Sequence, residues 1–319
     1  MNRIDLRGLR GDLPIGAMAA FGCLRLCERT EGFQGSKLSW NTTSGVPHAI
    51  LWTPEPRTPE ALVEALAGDL KIRRERPELT WRDQIKTAMP ADFRLWGERA
   101  AQAASAEDRD GADWFAAFGT ELVLDREGRI EPTPFDMSVA RQRFLADAQR
   151  LASGLTEERG KGKTPAASYA EALFGPWRYE DDQHSLGWDP STMKLGAFTH
   201  KAPTAMANAG VRAAVWLAFE SLPLFPCFFS NGLQTRGFER NGREVALVWP
   251  IWESPIGGAA LRILLGIVTR ADESDAREEM KARGIAAVYR SQRFKPNKYL
   301  ASFRTPELVF SEYSSPAAV

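Results

Sequence analysis

The chain has 319 residues, 44% of them hydrophobic and 26% charged, which is the composition of a globular protein and excludes a disordered or fibrous one. Its 41 Lys and Arg balance 41 Asp and Glu, so no global field draws it to nucleic acid, and any such site must be a local basic patch. Three cysteines, Cys23, Cys27 and Cys227, are too sparse and too odd in number for a disulfide framework, and they point to a reducing compartment.

Residues 3–9, "RIDLRGL", predict a short strand. Pro14 predicts the start of a helix reaching about Glu28. Gly16, Ala17, Ala19, Ala20 and Gly22 make that helix thin enough to pack closely on a neighbour. Its apolar run over 13–24 is too short to span a bilayer, and it is preceded by Asp5 and Asp12. A cytoplasmic protein without a membrane anchor is therefore expected. Cys23 and Cys27 stand at i, i+4, but no second Cys or His pair stands near them in sequence, so core packing is their expected role.

"KLSWNTTSGVPHAILWT" predicts two strands across Ser44-Gly45. Thr58 caps a helix with Glu60 and Glu64 early and Lys71 to Arg76 late, as the helix dipole prefers. Residues 80–117 read as mostly helical, broken at Pro90 and Asp110-Gly111. "ELVLDREGRIEPTPF" predicts a hairpin turned at Glu127-Gly128. "SVARQRFLADAQRLASG" predicts an amphipathic helix capped by Gly154. The stretch "LTEERGKGKTPAAS" then reads as a linker, which divides the chain into α+β lobes at 1–154 and 155–319.

Beyond the linker, Tyr169 to Leu173 predict a short helix, and Thr204 caps a small-residue helix reaching about Ser221. "QTRGFERNGREVALVWPIW" predicts a hairpin with Asn241-Gly242 at its tip. "GGAALRILLGIVT" is a buried helix or strand, and "DESDAREEMKARG" a charged helix. "IAAVYRSQRFKPNKYLASFR" closes the fold, with a loose tail after it. The expected class is α+β, mixing helices with antiparallel hairpins.

The chemistry of nucleotide binding and of acyl transfer is absent: there is no G-x-G-x-x-G before a helix, no P-loop and no G-x-S-x-G elbow. The three histidines, His48, His184 and His200, form no H-E-x-x-H or H-x-x-x-H arrangement. No cofactor is expected. The one cluster of acids with histidine is Glu180-Asp181-Asp182 with His184 and Asp189. It could hold Mg²⁺, which favours carboxylates and water; consecutive carboxylates on a loop are more often only solvated.

Two features carry the remaining signal. From Lys281 to Arg304 there are seven Lys or Arg and no Asp or Glu: Lys281, Arg283, Arg290, Arg293, Lys295, Lys298 and Arg304. Tyr289, Phe294, Tyr299 and Phe303 are interleaved among them. Cations neutralise phosphates and aromatics stack on unpaired bases, so this run is the candidate nucleic-acid-binding segment. The competing role is a basic edge strand that resists aggregation. Lys71 to Arg76, Arg159, Lys161 and Lys163 form weaker basic stretches. The second feature is Trp188-Asp189-Pro190. Asp accepts backbone N–H bonds in a turn, Pro fixes φ, and Trp brings a large face with one donor. With no nucleophile, base and electrophile set beside it, the expected role is a structural turn rather than a catalytic element.

Three segments together resemble a known family. They are "LRGLRGDLPIGAMAAFGCLRL"; "LGWDP" with its small-residue sequel and "LPLFP"; and "RGIAAVYRSQRF". They resemble CRISPR-associated large-subunit-like proteins of type I effector complexes (Cascade), in the subtype once called U and now G. The resemblance implies a subunit of an RNA-guided DNA surveillance complex. Its partners would be guide RNA, target double-stranded DNA next to the protospacer, other Cascade subunits and a separate helicase-nuclease. It implies a protein that is not itself an enzyme, in a complex where base pairing reads sequence and protein reads a short adjacent motif and backbone shape. Two alternatives stand beside it: a stand-alone metal-dependent nuclease using the Glu180 to Asp189 cluster, and a protein-interaction scaffold whose ten Trp mark interfaces.

Overall fold

A computed structural model of the chain describes residues 1–105, 108–156, 163–182, 184–192, 209–242, 244–270 and 276–312. The chain opens with β1 (Asn2–Arg10) and α1 (Pro14–Cys27), the helix carrying Pro14 in its first turn, where the missing N–H costs nothing. Strands β2 (Lys37–Asn41) and β3 (His48–Thr53) complete an antiparallel sheet in the order β1-β3-β2. The Thr58 side chain accepts from Ala61 N at 3.2 Å and so caps α2 (Pro59–Arg73).

A helical layer follows: α3 (Pro77–Thr80), α4 (Pro90–Ala103) and α5 (Asp110–Phe118). Pro90 and Asp110 are the expected breakpoints, and each starts a helix. Strands β4 (Gly119–Leu124) and β5 (Ile130–Pro132) form the expected hairpin, closed by Asp125 Oδ1 accepting from Glu127 N at 2.8 Å and Arg129 N at 3.0 Å. Helix α6 (Phe144–Thr156) runs through Gly154 rather than stopping there. Its neighbour explains the glycine: Arg212 Nη1 donates to the Gly154 carbonyl at 3.0 Å, and a Cβ would sit 3.3 Å from that guanidinium. The middle of the expected linker, 157–162, lies outside the described residues. Thr164 caps α7 (Pro165–Phe174). Thr204, the expected cap of the small-residue helix, lies outside the described residues. Helix α8 (Arg212–Glu220) starts only after an extended Val211 and a Gly210 that bridges to Asp181, so the expected helix does not run unbroken to Ser221.

The last third builds the larger sheet. A small hairpin that the sequence reading did not anticipate, β6 (Cys227–Phe229) with β7 (Leu233–Thr235), precedes β8 (Phe238–Asn241) and β9 (Glu244–Trp252). Asn241 pairs with Glu244, so Asn241 is the last paired residue of β8, and Gly242 turns with φ +58°. Helix α9 (Gly258–Ile267) and helix α10 (Ala276–Ala282) lead into β10 (Ile285–Asn297), β11 (Leu300–Phe303) and β12 (Glu307–Ser311). The sheet runs β11-β10-β9-β8 with β12 also on β10, and every pairing is antiparallel. Separate antiparallel sheets and helix groups make this an α+β fold.

The hydrophobic core crosses residue 154 without interruption. Helix α1 lies against α8 so closely that a Cβ on Gly22 would overlap the Leu217 carbonyl. Phe21, Trp40 and Trp252 form one aromatic cluster, with ring centroids 6.0 to 6.2 Å apart. Trp249 Nε1 donates to the Gly11 carbonyl at 2.7 Å and Trp252 Nε1 to the Leu38 carbonyl at 2.8 Å. A charge network ties the same helices together. Fully buried Glu220 receives Arg25 at 2.9 Å and Arg76 at 3.0 Å, and Asp110 faces Arg25, Arg29, Arg73 and Arg76. Burial pushes the Arg25 guanidinium down to about 9, with repulsion from Arg29, Arg76 and Arg73 adding to it; it stays protonated at neutral pH.

Candidate nucleic-acid interface

Strand β10 is 13 residues long and changes character along its length: it starts buried at Ile285 and Ala286 and ends exposed over Lys295 to Asn297. Pairing explains this. Residues 285–292 run along β9, and 287–290 also carry β12, so that half lies in the middle of the sheet. From Arg293 onward only β11 accompanies it, and the pair turns at Lys298-Tyr299, with Lys295 to Tyr299 exposed at the tip and Ala301 to Phe303 buried behind it.

This geometry separates the seven cations of the basic run. A 13-residue strand spans about 40 Å, so Lys281 and Arg283 cannot share a surface with Lys298. Both are matched locally: Arg283 Nη2 reaches Glu279 at 2.9 Å, and Lys281 Nζ reaches Glu278 at 3.4 Å. Arg290 bonds Glu307 at 2.7 Å across to β12 and lies 3.4 Å from Glu239 on β8. Arg293 is partly buried; its Nη2 donates to the Asp136 carbonyl at 2.8 Å, and burial holds its pKa below the usual range. Tyr289 stacks on Trp249 at 5.9 Å within the sheet. The run is free of acids in sequence, but acids from other segments fold onto it.

The hairpin end keeps its charge. Lys295 and Lys298 are exposed and have no ion pair among the described residues. Lys298 Nζ stands 5.1 Å over the Tyr299 ring, and Tyr299 is 65% exposed. Arg304 Cζ stands 4.5 Å over the Phe294 ring, joining the two strands of the hairpin. Burial first, and then the like charges of Arg293 and Lys86 against the opposing Asp136, hold the Lys295 ammonium below its usual range. Lys86, bonded to Ser138 Oγ at 2.9 Å, belongs to this surface through the fold alone. Nothing in its own sequence neighbourhood singles it out.

The Trp-Asp-Pro segment is an interior corner. Trp188 is fully buried, donates Nε1–H to the Phe135 carbonyl at 3.0 Å, and packs against Phe135, Phe144 and Phe219. Asp189 Oδ1 accepts from Ser191 N at 2.9 Å and Ser191 Oγ at 2.5 Å, closing a short 3₁₀ turn over Pro190 to Thr192. Burial raises the Asp189 pKa, and the Ser191 bonds oppose the shift. The corner touches the hairpin from behind: Phe303 N and Ser302 Oγ both donate to the Gly187 carbonyl, at 2.8 and 3.1 Å.

The carboxylates near His184 do not converge. Asp181 accepts from Arg212 N at 2.8 Å and lies 3.5 Å from Lys163, while Asp189 faces Ser191. His184 Nε2 meets Gln142 at 2.8 Å. Among the described residues, no group of three or more His, Cys, Asp or Glu is placed to hold a metal ion. The tryptophans mostly turn inward: Trp40, Trp114, Trp188, Trp216, Trp249 and Trp252 are among the largest fully buried side chains, so they mark the core and not an interface. Among the described residues no helix is long and apolar enough to cross a membrane. Comparison of the chain with protein-family models and with curated proteins finds no match.

Proposed function

We propose that this chain is a non-catalytic nucleic-acid-binding subunit of an RNA-guided CRISPR surveillance complex of the type I, Cascade-like kind. In this reading it acts in the cytoplasm and contacts guide RNA and target DNA next to the protospacer. One observation supports it above the others: the exposed tip of the β10–β11 hairpin, with Lys295, Lys298 and Arg304 interleaved with Phe294 and Tyr299. Cations around the exposed Tyr299 ring and the half-buried Phe294 ring suit a phosphate backbone with an unstacked base. Of the residues singled out in the sequence, Lys295, Lys298 and Phe294 remain the contact set, joined by Tyr299, Arg304 and Lys86. Tyr289, Arg290 and Arg293 serve the sheet, and Arg283 pairs with Glu279 of α10, so their rings or polar groups are already engaged.

The test is the salt dependence of binding. Lys295→Ala with Lys298→Ala, in the assembled complex, is expected to weaken DNA binding and to flatten the slope of log K against log salt by about two units. Melting temperature should hardly move, because exposed charges contribute little to folding. An unaltered slope in a properly assembled complex overturns the assignment of this hairpin.

A further inference from the structure

Between α2 and the helices α3, α4 and α5 lies a cleft of about 1070 Å³, within reach of the size range of small-molecule sites. Its floor is the arginine network. Arg29, Arg73 and Arg76 line it beside Asp69, Glu78 and Asp110, so the formal charges of the floor cancel; Arg25 and Glu220 complete the network outside the lining. The rim is not balanced. Glu31, Glu64 and Asp108 line it with Arg99 as the one opposing charge, and neither Glu31 nor Glu64 has an ion pair among the described residues. The net charge left for a ligand is therefore negative.

A second observation points the same way. Glu78 is 8% exposed and lines the cleft, yet its Oε2 has no hydrogen-bond partner; the nearest cation, Arg76 Nε, is 3.8 Å away. A buried carboxylate oxygen without a donor is costly and suits an N–H-bearing ligand. Arg76 Nε also lacks a hydrogen bond, which would suit an anion. The acidic rim decides against that: an anion entering past Glu31, Glu64 and Asp108 would meet like charge first. The walls are apolar. Ala65, Gly68 and Ile72 line one side on α2, Ala100 and Ala103 the other on α4, and the Trp81–Trp96 stack, with rings 4.5 Å apart, stands beside them. Methylenes suit such walls while ammonium groups reach the acids.

We propose that this cleft binds an aliphatic polyamine, a chain of methylenes bearing two or more ammonium groups. The proposal stands apart from the nucleic-acid reading. The experiment is calorimetric titration of the purified, nucleic-acid-free chain with spermidine. Saturable binding is expected, weakened at least about tenfold by Gly68→Trp and by Glu64→Lys, a loss of about 1.4 kcal/mol. Gly68 is an exposed helical site where a Cβ meets no atom within 4 Å, so Trp there fills the cleft without disturbing the core; unchanged circular dichroism checks this. No saturation by about 10 mM spermidine, a free energy near 3 kcal/mol, overturns the proposal. So does equal affinity in wild type and Gly68→Trp, or displacement by Mg²⁺ at matched ionic strength, which marks a diffuse counter-ion effect. Binding of inorganic phosphate lost in Gly68→Trp, with no spermidine binding, assigns the cleft to anions instead.

Discussion

Asp189 shows how much one side chain can be asked to do in a turn. It is 2% exposed, and its Oδ1 takes two bonds from Ser191. Yet its pKa is raised because burial outweighs those bonds. A carboxyl with a raised folded-state pKa favours the fold fully only below its unfolded value near 4; that advantage is lost as pH climbs through the folded value. The acceptor atom and the charge therefore contribute with opposite sign at neutral pH. Asp189→Ala is expected to cost about 1 to 2 kcal/mol in denaturant unfolding at pH 7. Asp189→Asn keeps Oδ1 and drops the charge, and should match or exceed wild type. Equal losses in both variants would show that charge, not the turn bond, holds the corner. The residue's role was readable in the sequence because turn chemistry is local. The fates of Arg290 and Arg293 were not: their partners Glu239, Glu307 and Asp136 come from segments far along the chain, and no window around β10 contains the first or the last of these.

At the scale of elements, the sequence reading succeeded where a boundary is set by one residue's backbone chemistry. Pro14, Thr58, Pro90 and Gly128 each sit at the start, cap or turn they predict. It missed where tertiary contacts decide. Gly154 lies inside α6 because Arg212 packs on it, and β6–β7 consists of three-residue strands too short for a periodic signal. The α1–α8 pairing was readable in part, from the small residues, but its buried ion pair was not. Burial alone would raise Glu220; Arg76 and Arg25 outweigh it and hold its pKa below the usual range. The sign follows from that: a depressed carboxyl stabilises the fold above its unfolded pKa near 4.3, and the stability is lost as pH falls through the folded value. Glu220→Gln leaves Arg25 and Arg76 to share Asp110 and should cost about 3 kcal/mol at pH 7. The gap between wild type and variant, followed by urea unfolding, should narrow below about pH 4.3. A gap independent of pH would mean that Glu220 acts by shape rather than charge.

For the whole molecule, the decisive question is whether the two expected lobes fold apart. A glycine-rich stretch reads as a linker because it lacks apolar anchors, but a linker separates domains only if few contacts cross it. Here the crossing contacts are core contacts. Phe21 and Trp40 close on Trp252, Glu220 binds Arg25, and Trp114 stacks on Phe219 at 5.0 Å. Cutting the chain at 154 would expose the α1 face that meets α8, leave Arg25 and Arg76 without Glu220, and free Trp252 Nε1 from the Leu38 carbonyl. Residues 1–154 and 155–319 expressed separately are therefore expected not to fold, each showing weak near-UV dichroism and rapid proteolysis. Mixed together, they should recover structure, because the shared core supplies the association energy. The intact chain should unfold in one transition, coincident by tryptophan fluorescence and far-UV dichroism. Two separated transitions, or either half melting cooperatively alone, would support the two-lobe division and confine the α1–α8 contact to an interface between domains.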